Sequence, residues 1–192
     1  MPQTPQARAA ETPDRSVRVA WVADAAAMGR VQARAWRTAY REVLPADLLG
    51  ALDPDVLAAR WADDLRRPPA ATHRALVALE ANTVVGFAAT GPSEDPDADP
   101  VRDAEMTVLV VHPDELGRGH GSRLLSAVAD TGRADGFTRA TTWVFAQDDT
   151  MRAFLESAGW APDGAHREMV VDSEGAGAPV VRQVRLHTSL EE

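Results

Sequence analysis

The sequence predicts a single α/β domain, with a central mixed sheet flanked by helices on both faces and elements in the order β-α-α-β-β-β-α-β-α-β-β. Three observations lead there. The length of 192 residues is that of one domain, and a chain of that size buries roughly 70% of its unfolded surface without disulfide staples. The composition, 45% apolar and 26% charged, is that of a globular protein. Short apolar runs of strand length alternate with segments of helical period, and an apolar run, a glycine-rich turn and a helix form the centre.

Residues 1–15 carry Pro2, Pro5 and Pro13 without periodicity and read as a flexible tail, which leaves 16–192 as the domain. Val17, Val19 and Trp21 alternate with Arg18 and Ala20, the pattern of a half-buried strand. Asp24 is placed to cap a helix in which Met28, Val31 and Ala35 share a face, running to about Tyr40. Leu44-Pro45 breaks it. Asp53-Pro54 sets an N-cap with proline at the first helical position, and Leu57, Trp61 and Leu65 recur through a second helix that stops at Pro68-Pro69. His73–Ala81 and Thr83–Thr90 make a hairpin across Asn82. The acidic stretch Gly91–Pro100 (Glu94, Asp95, Asp97, Asp99) reads first as a solvated loop and second as the lip of a substrate site.

Met106–Val111 is nearly continuous in apolar residues, as in a strand covered on both faces. The turn Leu116-Gly117-Arg118-Gly119-His120-Gly121 follows, then a helix with Leu124, Leu125 and Val128 on one side. Thr141–Phe145 is a buried strand, Thr150–Ala158 a short helix stopped by Gly159, and Arg167–Val171 and Val180–Leu186 are closing strands joined through Gly175–Ala178.

Absences narrow the chemistry. There is no Cys, hence no disulfide, thiolate nucleophile or cysteine metal site. All 20 Lys+Arg positions are Arg, which excludes a P-loop lysine and Schiff-base chemistry. The net charge of −9 is no footprint for nucleic acid, which needs a basic face. No apolar run reaches the length of a membrane span and Met1–Arg15 has no apolar leader, so a cytoplasmic protein with no membrane partner is expected. His73, His112, His120, His166 and His187 show no ligand spacing, so no metal is expected.

A glycine-rich turn between a buried strand and a helix N-terminus is an anion site. Its backbone approaches a ligand closely, its N–H groups point outward and the helix dipole favours negative charge. Arg118 and Arg123 add local positive charge, so a phosphate or pyrophosphate is the expected ligand group. A dinucleotide fingerprint fails on spacing, since the third position is Leu124 counted from Gly119 and Ser122 counted from Gly117.

What the turn resembles is the pyrophosphate loop of the GNAT superfamily of N-acetyltransferases, whose pattern is Arg/Gln-x-x-Gly-x-Gly/Ala after a strand, with Leu116 standing at the usual polar first position. Glu105-Met-Thr-Val-Leu-Val-Val-His-Pro113 is similar to the family's strand before that loop. Trp143-Val144 with Arg152–Trp160 is similar to its following strand and helix, and Ala35–Tyr40 with Leu44-Pro45 to its first helical pair. The resemblance covers residues 17–190.

It implies acetyl-CoA as cosubstrate. The backbone of Leu109, Val110 and Val111 would pair with the pantetheine arm, with the amide of Leu109 or Val110 as oxyanion donor. The amides of Leu116, Gly117, Arg118, Gly119, His120, Gly121 and Ser122 would hold the pyrophosphate, and Asp148 stands where the family often carries an Asn that contacts the cofactor. Trp36 and Tyr40 would border the acceptor. Glu105 takes the place of a general base, used directly or through water; the plainer reading is a carboxylate at a strand start that makes an ion pair. The thiolate-protonating tyrosine of the family falls on Leu155, which would lie near the thioester sulfur.

The activity implied is direct attack of a primary amine, carried by a small molecule or a peptide, on the thioester. The rival is an acyl-CoA-binding sensor or scaffold without turnover. A homodimer is compatible with either, and neither sequence nor resemblance names the amine.

Overall fold

The computed structural model describes residues 15–170 and 180–191. Its strands are β1 (Arg15–Val19), β2 (Arg74–Glu80), β3 (Thr83–Pro92), β4 (Asp103–Val111), β5 (Arg139–Phe145), β6 (Ala161–Val170) and β7 (Val180–Ser189); its helices are α1 (Ala25–Ala39), α2 (Ala46–Gly50), α3 (Pro54–Arg66), α4 (His120–Ala134) and α5 (Asp149–Ser157). The expected order holds, with the short α2 added after Pro45. The expected tail lies outside the described residues except for Arg15, which opens β1, and the join at Gly175–Ala178 lies outside them too. Among the described residues no helix is long and apolar enough to cross a membrane.

The sheet has seven strands in the order β1-β2-β3-β4-β5-β7-β6. Every neighbouring pair is antiparallel except β4 and β5, which run parallel and pair only through Asp103–Glu105 and Arg139–Thr141. Beyond Glu105 the two strands diverge, and among the described residues the backbone of β4 facing β5 has no partner strand. The Thr142 hydroxyl donates to the Met106 carbonyl at 2.8 Å where they part.

Register explains which way β4 faces. Ala89 pairs with Val108 but Thr90 with Met106, so Thr107 is an extra residue, a β-bulge. Alternation is reset there. Ala104, Met106 and Leu109 all pack on the α4–α5 side, while Val110 packs on the α1–α3 side. The apolar run therefore serves two cores, as its lack of alternation predicts. On one side stand Leu124, Leu125 and Val128, at most 6% exposed. On the other, Trp61 packs edge-on to Phe87 at 5.0 Å and its Nε1 donates to Gln32 Oε1 at 2.7 Å, tying α3 to α1 and the sheet.

Two local expectations need correction. Asp24 does not cap α1 with its side chain. Arg18 draws the carboxylate back, at 2.7 and 2.9 Å, and it accepts the Trp21 N–H to close a tight turn ahead of the helix. The hairpin across Asn82 forms as expected, with Ala81 in a left-handed conformation, φ 51°.

The acidic loop is not a free solvated one. Asp95 accepts from Trp143 Nε1 at 2.9 Å, and Asp97 grips Arg185 with two bonds of 2.8 Å. Arg185 also reaches Asp163 at 2.8 Å and is almost fully buried. The bonds to Asp97 first, then those to Asp95 and Asp163, outweigh burial and hold its pKa above the usual arginine value. By contrast Asp53 caps α3 as expected, accepting from the Asp55 N–H at 2.8 Å.

Candidate active site

Two cavities flank β4. The first, of about 620 Å³, lies where β4 and β5 diverge. Leu109, Val110 and Val111 line it from the strand; Leu116, Gly117, Gly119, His120, Gly121 and Ser122 from the turn; Trp36 and Tyr40 from α1; and Asp148, Met151 and Phe154 from the start of α5. Residues that the sequence analysis assigned to a cofactor thus meet around one space. Arg118 is the exception. It is absent from the lining, and its guanidinium turns to Glu115 at 2.8 Å.

The turn has the backbone an anion cradle requires. Gly117 and Gly119 sit at φ +73° and +80°, a region costly for any residue with a Cβ, and Gly119 is the N-cap of α4. The amides of His120, Gly121 and Ser122 occupy the first turn, where no intrahelical acceptor exists. Arg123 Nη1 bonds the Arg118 carbonyl at 3.2 Å and braces the loop. His120 is buried beneath it, its Nε2 2.9 Å from a Glu80 carboxylate that Arg15 also engages at 3.0 Å. Burial pushes the Glu80 carboxyl up, but Arg15 and His120 outweigh it and hold it below the ordinary value.

Glu80, Glu115 and His120 offer ligand atoms within 4.8 Å of one another, a grouping that sequence spacing did not suggest. Arg15 and Arg118 already neutralise its two carboxylates, and it lies at a helix N-terminus, which disfavours a cation.

Asp148 caps α5, accepting from the Met151 N–H at 2.9 Å. Tyr40 packs edge-on to Phe145 at 4.8 Å and to Trp36 at 6.0 Å, bridging α1 to β5. Burial first and the nearby Asp148 second push its phenol up to about 12, so it stays protonated at neutral pH.

Leu155 does not approach this cavity. It is 0% exposed, within the core beneath α4, while its neighbour Phe154 lines the space. Adjacent helical residues point about 100° apart, so Leu155, the one buried residue of this short helix, meets the core while Phe154 meets the cavity. Leu155→Tyr is therefore expected to overpack the core and cost about 1–3 kcal/mol rather than supply a catalytic hydroxyl. Denaturant unfolding with an unchanged midpoint would contradict this.

The second cavity, of about 780 Å³, lies nearer the start of β4. Glu105 and Thr107 line it from the strand, Trp61, Asp64 and Leu65 from α3, Glu94 and Asp95 from the acidic loop, with His73, Gly91 and Arg167 around them. Glu105 accepts a bond of 3.3 Å from the Ser93 hydroxyl and, among the described residues, makes no ion pair. Burial first, then the charge of Asp95, push its carboxyl above the ordinary value, against the opposing pull of Arg167 and Ser93. That is the state of a carboxylate able to take a proton. Trp36 and Tyr40 are not brought together with Glu105, because they stand in the cofactor-side cavity on the far stretch of β4. His73, Ser93 and Arg167 come from three separate segments and form no motif in the sequence.

The sequence profile of the acetyltransferase (GNAT) family matches residues 33–160. No curated protein sequence matches the chain. Solved structures align over nearly its whole length. A PaiA N-acetyltransferase from Thermoplasma acidophilum, solved with coenzyme A, has a TM-score of 0.67 at 15% identity, covering 91% of this chain and 98% of that one. The ribosomal-protein-alanine N-acetyltransferase of Brucella melitensis has a TM-score of 0.67 at 20% identity, covering 91% and 99%. YncA of Salmonella typhimurium, solved with its cofactor acetyl-CoA, has a TM-score of 0.66 at 22% identity, covering 93% and 95%. At these identities the likeness is one of fold.

Proposed function

Since this chain belongs to the acetyltransferase (GNAT) family and is an N-acetyltransferase by that membership, we propose that it moves the acetyl group of acetyl-CoA to a primary amine by direct attack on the thioester. The observation that carries the reading is the continuity of the first cavity. A glycine cradle with free amides opens onto the unpaired edge of β4, so one extended ligand with an anionic middle and a peptide-like arm fits it from end to end.

The pyrophosphate would rest on the amides from Leu116 to Ser122. The arm would pair with Leu109–Val111 as an added strand, and an amide of Leu109 or Val110 would meet the developing oxyanion. With no Cys to hold an acetyl group, transfer runs without a covalent enzyme intermediate. The acceptor amine would enter through the second cavity, where Glu105 acts as base. No metal takes part in this reading. The enzyme would work in the cytoplasm on a dissolved small-molecule or peptide amine, without nucleic acid or membrane.

The test has two arms. CoA at a hundred times its dissociation constant stabilises its target by about 2.7 kcal/mol, so the melting temperature should rise. Thiol release from acetyl-CoA should then follow addition of at least one of a panel of amines: N-terminal peptides, lysine peptides, polyamines, aminoglycosides and amino acids. No thermal shift would remove CoA from the cavity; a shift with no turnover on any amine would leave a sensor.

A further inference from the structure

The floor of the second cavity holds a row of residues from β4, β3 and the position just ahead of β2. Arg74 pairs with Thr90, so His73, one residue earlier, stands beside Gly91, and Gly91 pairs with Glu105. Directly paired residues project to the same face of a sheet. The middle position has no side chain, and the His73 ring fills the space. A Cβ built on Gly91 would lie 2.6 Å from its Cδ2 and 3.0 Å from its Nε2. The backbone turn Ala70–His73, closed by a 3.0 Å bond, fixes the approach. Nδ1 is sealed and without a hydrogen-bond partner among the described residues, while His73 itself lines the cavity. Neighbouring strands are about 4.8 Å apart, so the backbones of His73 and Glu105 are roughly 10 Å apart, and the ring covers part of that gap. Imidazole and carboxylate thus face one cavity from the two ends of the row.

Resting on the acetyltransferase reading above, we infer that His73 and Glu105 are a pair of proton acceptors on either side of the acceptor nitrogen, and that His73 is the one that neutralises the arriving ammonium. The nitrogen gives up two protons at different stages, and each stage has its own acceptor. An alkylammonium sheds two protons on becoming an amide. His73 takes the first, freeing the lone pair. The nitrogen attacks the thioester carbon and the C–N bond forms; Glu105 takes the second proton from the nitrogen of the tetrahedral adduct. The C–S bond then breaks and its electron pair leaves with sulfur. One of the two protons ends on the CoA thiol and the other in solvent.

The other charged groups around the cavity are Asp64, Glu94, Asp95, Arg74 and Arg167. Asp135 holds Arg74 through two bonds, and Arg185 holds Asp95. Arg167 lies over the Trp143 ring and donates to Gln183. None of the five occupies the row.

The experiment compares two acceptors that differ only in the first step. An alkylamine arrives charged at pH 7; a primary alkoxyamine of the same shape arrives neutral. His73→Asn should lower kcat/KM for the alkylamine at pH 7 on the order of 10²-fold. The variant's rate should then climb with pH along the amine's own titration and rejoin the wild type at the top. On the alkoxyamine it should match the wild type, whereas Glu105→Gln should be slow on both. Gly91→Ala, which pushes the ring aside, should behave as His73→Asn does, and it carries the test should that variant not fold. CoA-induced thermal shifts should be equal in all of them. An unchanged alkylamine profile in both His73→Asn and Gly91→Ala would overturn the inference, as would equal losses on the two acceptors, which mark a structural role. A wild type that binds CoA yet acetylates neither acceptor sinks the acetyltransferase reading itself.

Discussion

Glu105→Gln is expected to lower kcat at neutral pH by roughly 10²–10⁴-fold, the range for removing a positioned general base. The substitution keeps the shape of the side chain and leaves an oxygen for the Ser93 hydroxyl, which now bonds the carboxylate at 3.3 Å. What it removes is the capacity to accept a proton. CoA affinity should hardly move, because Glu105 lines the second cavity and not the one that holds the cradle.

The pH dependence follows from the environment. Burial, reinforced by Asp95, raises the carboxyl above its ordinary value. The active, ionised form is therefore lost as pH falls through that raised value, and the acid limb of kcat lies above the normal carboxylate range. In the variant this limb should vanish, and high pH should not restore the rate, because the proton Glu105 takes is the one left on the adduct after the amine has been neutralised. The sign for stability is opposite. A carboxyl whose folded pKa is raised contributes stability that is present below the unfolded value and is lost as pH rises through the folded one. At neutral pH the wild type thus holds an ionised group that the fold disfavours, and the variant should be at least as stable. Wild-type turnover in Glu105→Gln would demote the residue to a structural one.

Features written in neighbouring residues were legible without coordinates. Asp53-Pro54 starts a helix, the run from Met106 to Val111 is covered on both faces, and the glycines of 116–121 bend into a cradle, because each depends on local conformation and period. Features that join distant segments were not. Arg185 meets Asp97 across 88 positions of sequence, so a string of acids that reads as solvent-facing is in fact strapped to the sheet. The row His73–Gly91–Glu105 depends on the pairing of β2 with β3 and β3 with β4, and no spacing along the chain encodes it. The bulge at Thr107 inverts the faces of β4 midway, which an all-apolar run cannot announce. Leu155 and Phe154 are both apolar and adjacent, and only the packed helix decides which meets the core and which the cavity.

Gly121→Glu should abolish the thermal shift that CoA produces while leaving the fold in place. Gly121 lies in the first turn of α4 and lines the cofactor-side cavity. A Cβ there would stand 3.0 Å from Phe154 Cζ, tight enough that the ring must give by a few tenths of an ångström. The carboxylate beyond it would have to emerge among the free amides of the cradle. Those amides and the helix dipole welcome an acid, so the substituted chain fills its own anion site and the helix is not weakened. The pyrophosphate then meets occupied donors, added bulk and a like charge together. At a hundredfold excess over the dissociation constant, the shift at stake is about 2.7 kcal/mol, or roughly 5–10 °C for a domain of this size. Gly121→Ala separates the two causes. It brings only the steric contact with Phe154, and it should retain a measurable shift if charge and occupancy are what exclude CoA. A full shift in Gly121→Glu would take the glycine turn out of the binding site, and with it the premise that the arm runs along β4.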